Sequence, residues 1–160
     1  MEIRHQLRYD ATPAEVYAML GDPAFRERVC AAMGTVSHDV SIEPADGTMS
    51  VRIDMRQRTH GVPGFAKKIV GDQTRVVQSE RWTGGTAADL EVEIPGKPGH
   101  IRGRITLSGD ASGTTESFEG EATVNIPLVG GKLEGVVRKL FLDGMDTEQQ
   151  VGVAWLAGER

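Results

Sequence analysis

Glu80 and Trp82 stand two residues apart in an alternating run, Thr74, Val76, Gln78, Glu80, Trp82, so a strand through them turns the carboxylate to whichever face the indole occupies. If that face is the interior, burial among apolar groups raises the carboxyl pKa, which is how a general acid or base is made. A phase shift of one residue would put Glu80 in water instead. His5 and His38 also lie on otherwise apolar strand faces, one beside Ile3, Leu7 and Tyr9, the other beside Val36, Val40 and Ile42. Histidine is the side chain suited to act as base or ligand anchor near neutral pH, although a hydrogen-bonded core or rim histidine is the plainer reading of both. His5, Tyr9 and Glu80 are the candidate catalytic groups, and an enzyme built on them needs them to converge within hydrogen-bond reach.

Other chemistry has no foothold. There is no nucleophile elbow, no phosphate-cradling glycine loop and no metal-ligand spacing, so neither a metal nor a cofactor is expected. Gly84-Gly85 and Gly130-Gly131 read as turn and helix-entry residues. The single Cys30 has no internal disulfide partner and falls in an expected helix, where it reads as a small buried residue rather than a nucleophile. A net charge of -5 with 5% aromatic residues leaves no basic footprint for nucleic acid. The opening Met-Glu-Ile-Arg-His-Gln has no apolar leader and no apolar run is long enough to cross a bilayer, so a cytoplasmic location is expected.

The elements that must position these residues follow from periodicity. Residues 2 to 9 alternate as a half-buried strand. Thr12-Pro13-Ala14-Glu15 has the form of a capping box with proline at the first helical position, predicting a helix to Leu20, and Asp22-Pro23 opens a second that runs to Met33 and stops at Gly34. Two alternating runs around Pro44-Ala45-Asp46-Gly47 predict a hairpin. Residues 60 to 71 read as a loop carrying a short amphipathic turn of helix, in which Phe65, Lys67, Lys68, Ile69 and Val70 cover one end of the domain, gate it, or make transient membrane contact. Strands are expected near 73–83, 86–95, 100–109 and 114–126. From Gly131 the period becomes helical through Ala157, about 39 Å at 1.5 Å per residue. Gly144 interrupts this helix, and a bend or a close backbone contact is expected there.

Pairing the strands near 86–95 and 100–109 so that residue numbers sum to 195 sets Leu90 against Ile105 and Val92 against Gly103 inside, with Glu91 against Arg104 and Glu93 against Arg102 outside. A sum of 223 for the next hairpin puts Glu119 beside Arg104 and Glu121 beside Arg102. Arg102 and Arg104 are therefore excluded from any functional site.

The order of strand, two short helices, six strands and one long helix resembles the START-like superfamily of polyketide cyclases, lipid-transfer domains and plant pollen allergens. The residues carrying the resemblance are Tyr9 through Leu20 followed by Asp22-Pro23. Asp22-Pro23-Ala24-Phe25-Arg26 through Cys30, together with Trp82, is most similar to an actinobacterial family within it (domain of unknown function 2505). The resemblance implies one α+β domain over 1–160 of the helix-grip type: a curved seven-stranded antiparallel sheet wrapped around the C-terminal helix, with two short helices after the first strand. It also implies a ligand between the concave sheet face and that helix. His5 and His38 would then come from strands at the open edges of the sheet, so no dyad between them is expected.

The inward residues assigned on this basis are His5, Leu7, Tyr9, His38, Val40, Met49, Met55, Trp82, Leu90, Val92, Ile105, Phe118, Val137, Phe141 and Met145. Those expected to touch a ligand are His5, Tyr9, His38, Met49, Met55, Trp82, Phe118, Val137, Phe141 and Met145. The leading functional reading is binding or transport of an uncharged or weakly acidic apolar molecule of lipid, polyketide or isoprenoid character. A cyclase-like or isomerase-like cavity enzyme is the alternative, and a structural or dimerising domain with a solid core is the third, the chain being a monomer or homodimer. A void of roughly 300 Å³ or more separates the first from the last.

Overall fold

The computed structural model describes residues 1–160. Alternation carries Glu2–Tyr9 into strand β1, with Ile3, Leu7 and Tyr9 buried. Helix α1 spans Pro13–Leu20 and opens on the expected reciprocal cap: Glu15 N donates to Thr12 Oγ1 at 3.2 Å, and Thr12 N donates to Glu15 Oε1 at 3.1 Å. Helix α2, Pro23–Ala32, starts where the Asp22 carboxylate accepts from Ala24 N, and the chain leaves it through Gly34 at φ 72°. Strands β2 (Ser37–Ala45) and β3 (Thr48–Arg58) form a hairpin over Asp46-Gly47, where glycine supplies φ 70°. Helix α3 (Gly64–Val70) precedes β4 (Gln73–Thr83), β5 (Ala87–Glu93), β6 (Gly99–Asp110), β7 (Gly113–Val124) and the long α4 (Gly130–Leu156).

The seven strands form one antiparallel sheet in the order β1-β7-β6-β5-β4-β3-β2. Strand β1 sits at one edge beside β7 and β2 at the other, so α1 and α2 carry the chain from edge to edge, and α4 packs against β1, β7 and α2. This is the α+β helix-grip arrangement. No helix is long and apolar enough to cross a membrane.

One expected register is corrected. Strands β5 and β6 pair with residue numbers summing to 193, so Leu90 faces Gly103, Val92 faces Ile101, Glu91 faces Arg102 and Asp89 faces Arg104. A slip of two leaves every side chain on its face, and acids at 89, 91 and 93 match Arg102 and Arg104 equally well in either register, so charge cannot tell them apart. The loop decides: Lys97 N donates to Ile94 O at 2.9 Å, closing a tight turn that sets Glu93 against His100. The pairing of β6 with β7 keeps the expected sum, with Arg102 opposite Glu121 and Arg104 opposite Glu119. Both arginines are exposed, as expected.

Glycine matters at a different point of α4 from the one expected. The helix is continuous through Gly144, where an added Cβ meets only the tip of Met33 at 3.4 Å, with no close backbone contact. At Gly152 an added Cβ would lie 2.7 Å from the Tyr9 ring and 3.2 Å from Met19 Cε. The helix therefore approaches β1 and α1 closely through Gly152.

Candidate functional site

A cavity of about 230 Å³ lies between the concave sheet face and α4. Its sheet wall is Ile53 and Met55 of β3, Val76 of β4, Leu90 and Val92 of β5, Ile101 and Ile105 of β6 and Phe118 of β7; α4 contributes Val137, Phe141 and Met145. Phe118 lies over the facing pair Gly103 and Gly120, whose missing side chains make room for the ring, and it packs on Phe141 with centroids 4.9 Å apart. Val62, Ala66 and Val70 close one end, where Ala66 of α3 is buried in a small cluster with Val124 and Leu133. The volume falls short of the roughly 300 Å³ at which ligand pockets usually begin. The interior is thus neither solid nor a large container, and the space suits a small compact molecule.

The opposite end of the cavity is polar. Arg26 of α2 and Glu80 of β4, both buried, form a two-pronged ion pair, Nη1 donating to Oε2 at 3.0 Å and Nη2 to Oε1 at 2.8 Å. Arg26 Nε donates to the Leu20 carbonyl at 2.7 Å, tying the pair to the end of α1. Glu80 also accepts from Gln78 Nε2 at 2.7 Å and from the Trp82 indole at 2.8 Å. Glu116 of β7 and Glu148 of α4 line the same end. Each has a buried carboxylate oxygen with no hydrogen-bond partner, Glu116 Oε2 and Glu148 Oε1, as does the Tyr9 hydroxyl. Glu148 as a residue is partly exposed, yet this oxygen is not.

Burial is the main cause that lifts the carboxyl pKa of both glutamates. Glu148 is pushed up to about 7, with the Glu80 charge adding to burial and Arg26 opposing it. Glu116 is raised well above the usual carboxylate range, burial being reinforced by the charges of Glu148 and Glu80.

Sequence-derived candidates divide between this cavity and the rest of the molecule. Met55, Phe118, Val137, Phe141, Met145 and Glu80 line it. Tyr9, Met49 and Trp82 are buried but belong to the packed core beside it: Trp82 stacks edge-on against Tyr17, and Met49 fills the space beside Gly21. His5 and His38 are corrected as lining residues. His5 is half-buried at the sheet edge, its Nε2 2.7 Å from Asp146 Oδ1 of α4, and His38 is exposed on edge strand β2 with Nδ1 near Thr35 Oγ1. His5, Tyr9 and Glu80 share no hydrogen bond. Glu80 does face inward with Trp82, but as the acceptor of four hydrogen bonds rather than an isolated acid.

Three groups at the polar end escaped the sequence reading, although each carried a signal. Glu116 shares the phase of Phe118 on β7, Glu148 continues the stripe of Phe141 and Met145 along α4, and Arg26 precedes Val29, Cys30 and Met33 at helical spacing on α2. Charged residues on apolar stripes were the mark of this site.

A sheet gripping one long helix over an interior cavity is the helix-grip fold, and solved structures share that architecture. The START superfamily protein from Mycobacterium smegmatis superposes with a TM-score of 0.62 at 11% identity, covering 97% of this chain and 98% of its own. The di-domain ARO/CYC StfQ from the steffimycin biosynthetic pathway also gives 0.62, at 13% identity over 96% of this chain and 50% of that one. Residues 4–156 match the family model described as protein of unknown function (DUF2505), and the chain belongs to that family. The uncharacterized protein Rv0481c of Mycobacterium tuberculosis is 26% identical over 117 residues, 69% of this chain and 67% of the relative.

Proposed function

We propose that this domain binds one small apolar molecule, of lipid, polyketide or isoprenoid character, between the sheet and α4, and releases it unchanged. The observation that carries this reading is the cavity of about 230 Å³, lined mostly by apolar side chains with its polar groups towards the two ends. Enclosed apolar space with a few polar groups is the usual form of a small-molecule site. Architectural kinship with a START superfamily protein and with an ARO/CYC protein supports it. Chemistry on the ligand is disfavoured because His5, Tyr9 and Glu80 do not converge.

The test is titration of a solvatochromic apolar probe into wild type, Phe141→Ala and His5→Ala. Saturable binding that is unchanged in His5→Ala and altered in Phe141→Ala is expected. Absence of saturable binding in wild type, together with a full core penalty of about 3–5 kcal/mol for Phe141→Ala, would leave α4 and the sheet as packing alone.

A further inference from the structure

We propose that the cavity selects a ligand ending in a protonated amine, whose ammonium is held by Glu116 and Glu148 at the polar end. This rests on the cavity being a ligand site and names the chemistry of the part of the ligand that reaches deepest. The buried side-chain atoms without partners are three, Tyr9 OH, Glu116 Oε2 and Glu148 Oε1. They share one neighbourhood, since the charges of Glu148 and Glu116 both act on the Tyr9 hydroxyl. Buried polar groups are nearly always paired, so three orphans in one place, two of them on the cavity wall, mark where a partner is missing.

The type of partner follows from what already surrounds these oxygens. Arg26 faces them from α2, but its fork is closed on Glu80. Glu80 faces them from β4 and Tyr9 from β1, and neither brings positive charge. Other basic groups on the cavity wall, Arg58 and His60, lie at the α3 end: Arg58 is seven residues along β3 from Val51, the partner of Glu80, about 23 Å at strand rise. The polar end therefore holds one more carboxylate pair than it has cations. An anionic head group would add like charge, and a hydroxyl donates a single hydrogen bond. An ammonium has three N–H donors and one positive charge, so it can donate to both orphan carboxylate oxygens while its charge compensates the ionisation of one of the two glutamates.

Without ligand this end approaches neutrality by protonation, since both glutamates are held above the usual carboxylate range. An arriving ammonium favours the ionised carboxylates, and the displaced protons pass to water. Below about pH 7 binding must expel a proton from Glu148, so affinity for the amine rises as pH increases through 7. It falls again as the amine itself deprotonates near its ordinary pKa of about 10.

Calorimetric titration of the intact protein with n-octylamine, n-octanol and n-octanoate, in two buffers of different ionisation enthalpy, tests this. Octylamine should bind at least about tenfold more tightly than octanol at pH 8, one pKa unit's worth of discrimination, with octanoate weakest, and in titrations at about pH 6 proton release should be seen only with the amine. Glu116→Gln and Glu148→Gln, near-isosteric with the protonated acids, should each lower the preference for octylamine over octanol severalfold. Circular dichroism confirms that each variant is folded before it is titrated. Octanol binding as tightly as octylamine, octanoate binding best, or a preference unchanged in both variants would each overturn the ammonium site while leaving the cavity reading standing. If none of the three ligands and no solvatochromic probe binds, the cavity reading fails and the ammonium site with it.

Discussion

Glu80 receives four hydrogen bonds, whereas Glu116 and Glu148 on the same cavity wall each leave an oxygen with none, and this contrast sets what each residue does for the fold. Removing the Glu80 charge strands the Arg26 guanidinium in the interior. Glu80→Gln should cost about 3–5 kcal/mol in denaturant unfolding, and the double change Arg26→Met with Glu80→Leu should cost much less than the sum of its singles. A loss under about 1 kcal/mol for Glu80→Gln would show that the pair is not buried as described. Glu116 and Glu148 act in the opposite direction. A carboxyl whose pKa is raised in the folded state contributes stability below its unfolded value, and that contribution is lost as pH rises through the folded value. For Glu148 the window runs from the ordinary 4.5 to about 7. Stability should therefore fall between pH 5 and 8, and Glu148→Gln should flatten that slope, recovering on the order of 1–3 kcal/mol at pH 8. Thermal melts across this range check it; a variant with the wild-type slope would show that Glu148 does not titrate there. Cys30, buried and with its thiol pushed up mainly by burial, should react with thiol reagents only as the protein unfolds.

At the scale of elements, α4 makes two kinds of contact through two glycines. Gly144 lies on the cavity wall with open space apart from the flexible end of Met33, so Gly144→Ala should stabilise by about 0.4–1 kcal/mol through reduced freedom of the unfolded chain. Gly152 is pressed against the flat ring of Tyr9, so Gly152→Ala should destabilise by about 1–3 kcal/mol. Urea midpoints of the two variants test the pair, and opposite signs are the expected outcome. Helix α3 is fastened by Ala66 alone among its buried residues, and its exposed Phe65 and Lys67 face solvent. Few buried contacts make it the element that opens at least cost, with hydrogen exchange in α3 expected to precede that in β5–β7. Exchange in α3 as slow as in β7 would exclude this end as the route into the cavity.

For the whole molecule, the consequence of a partly empty interior is that core residues along it pack on one side only. Phe141→Ala should cost noticeably less than the roughly 3–5 kcal/mol of a fully enclosed phenylalanine, because Phe118 covers one face of its ring while the cavity borders the residue. A full penalty would mean that the space closes in solution. Much of this architecture was legible in the sequence. Period-two runs, the Thr12 to Glu15 cap, Gly34 and the long stripe from Leu133 to Trp155 specify strands and helices because they are local: neighbouring residues decide backbone shape and which face is apolar. Phase also brought Glu80 inward with Trp82. Tertiary structure decided the rest, for two physical reasons. Strand register depends on loop closure between β5 and β6, and side-chain alternation is blind to a slip of two. The functional end depends on side chains from four elements meeting in low dielectric, where Arg26 of α2 chooses Glu80 of β4 as its partner and leaves Glu116 of β7 and Glu148 of α4 without one. Each of those residues has an ordinary sequence neighbourhood, and only their convergence gives them unpaired oxygens and raised pKa values.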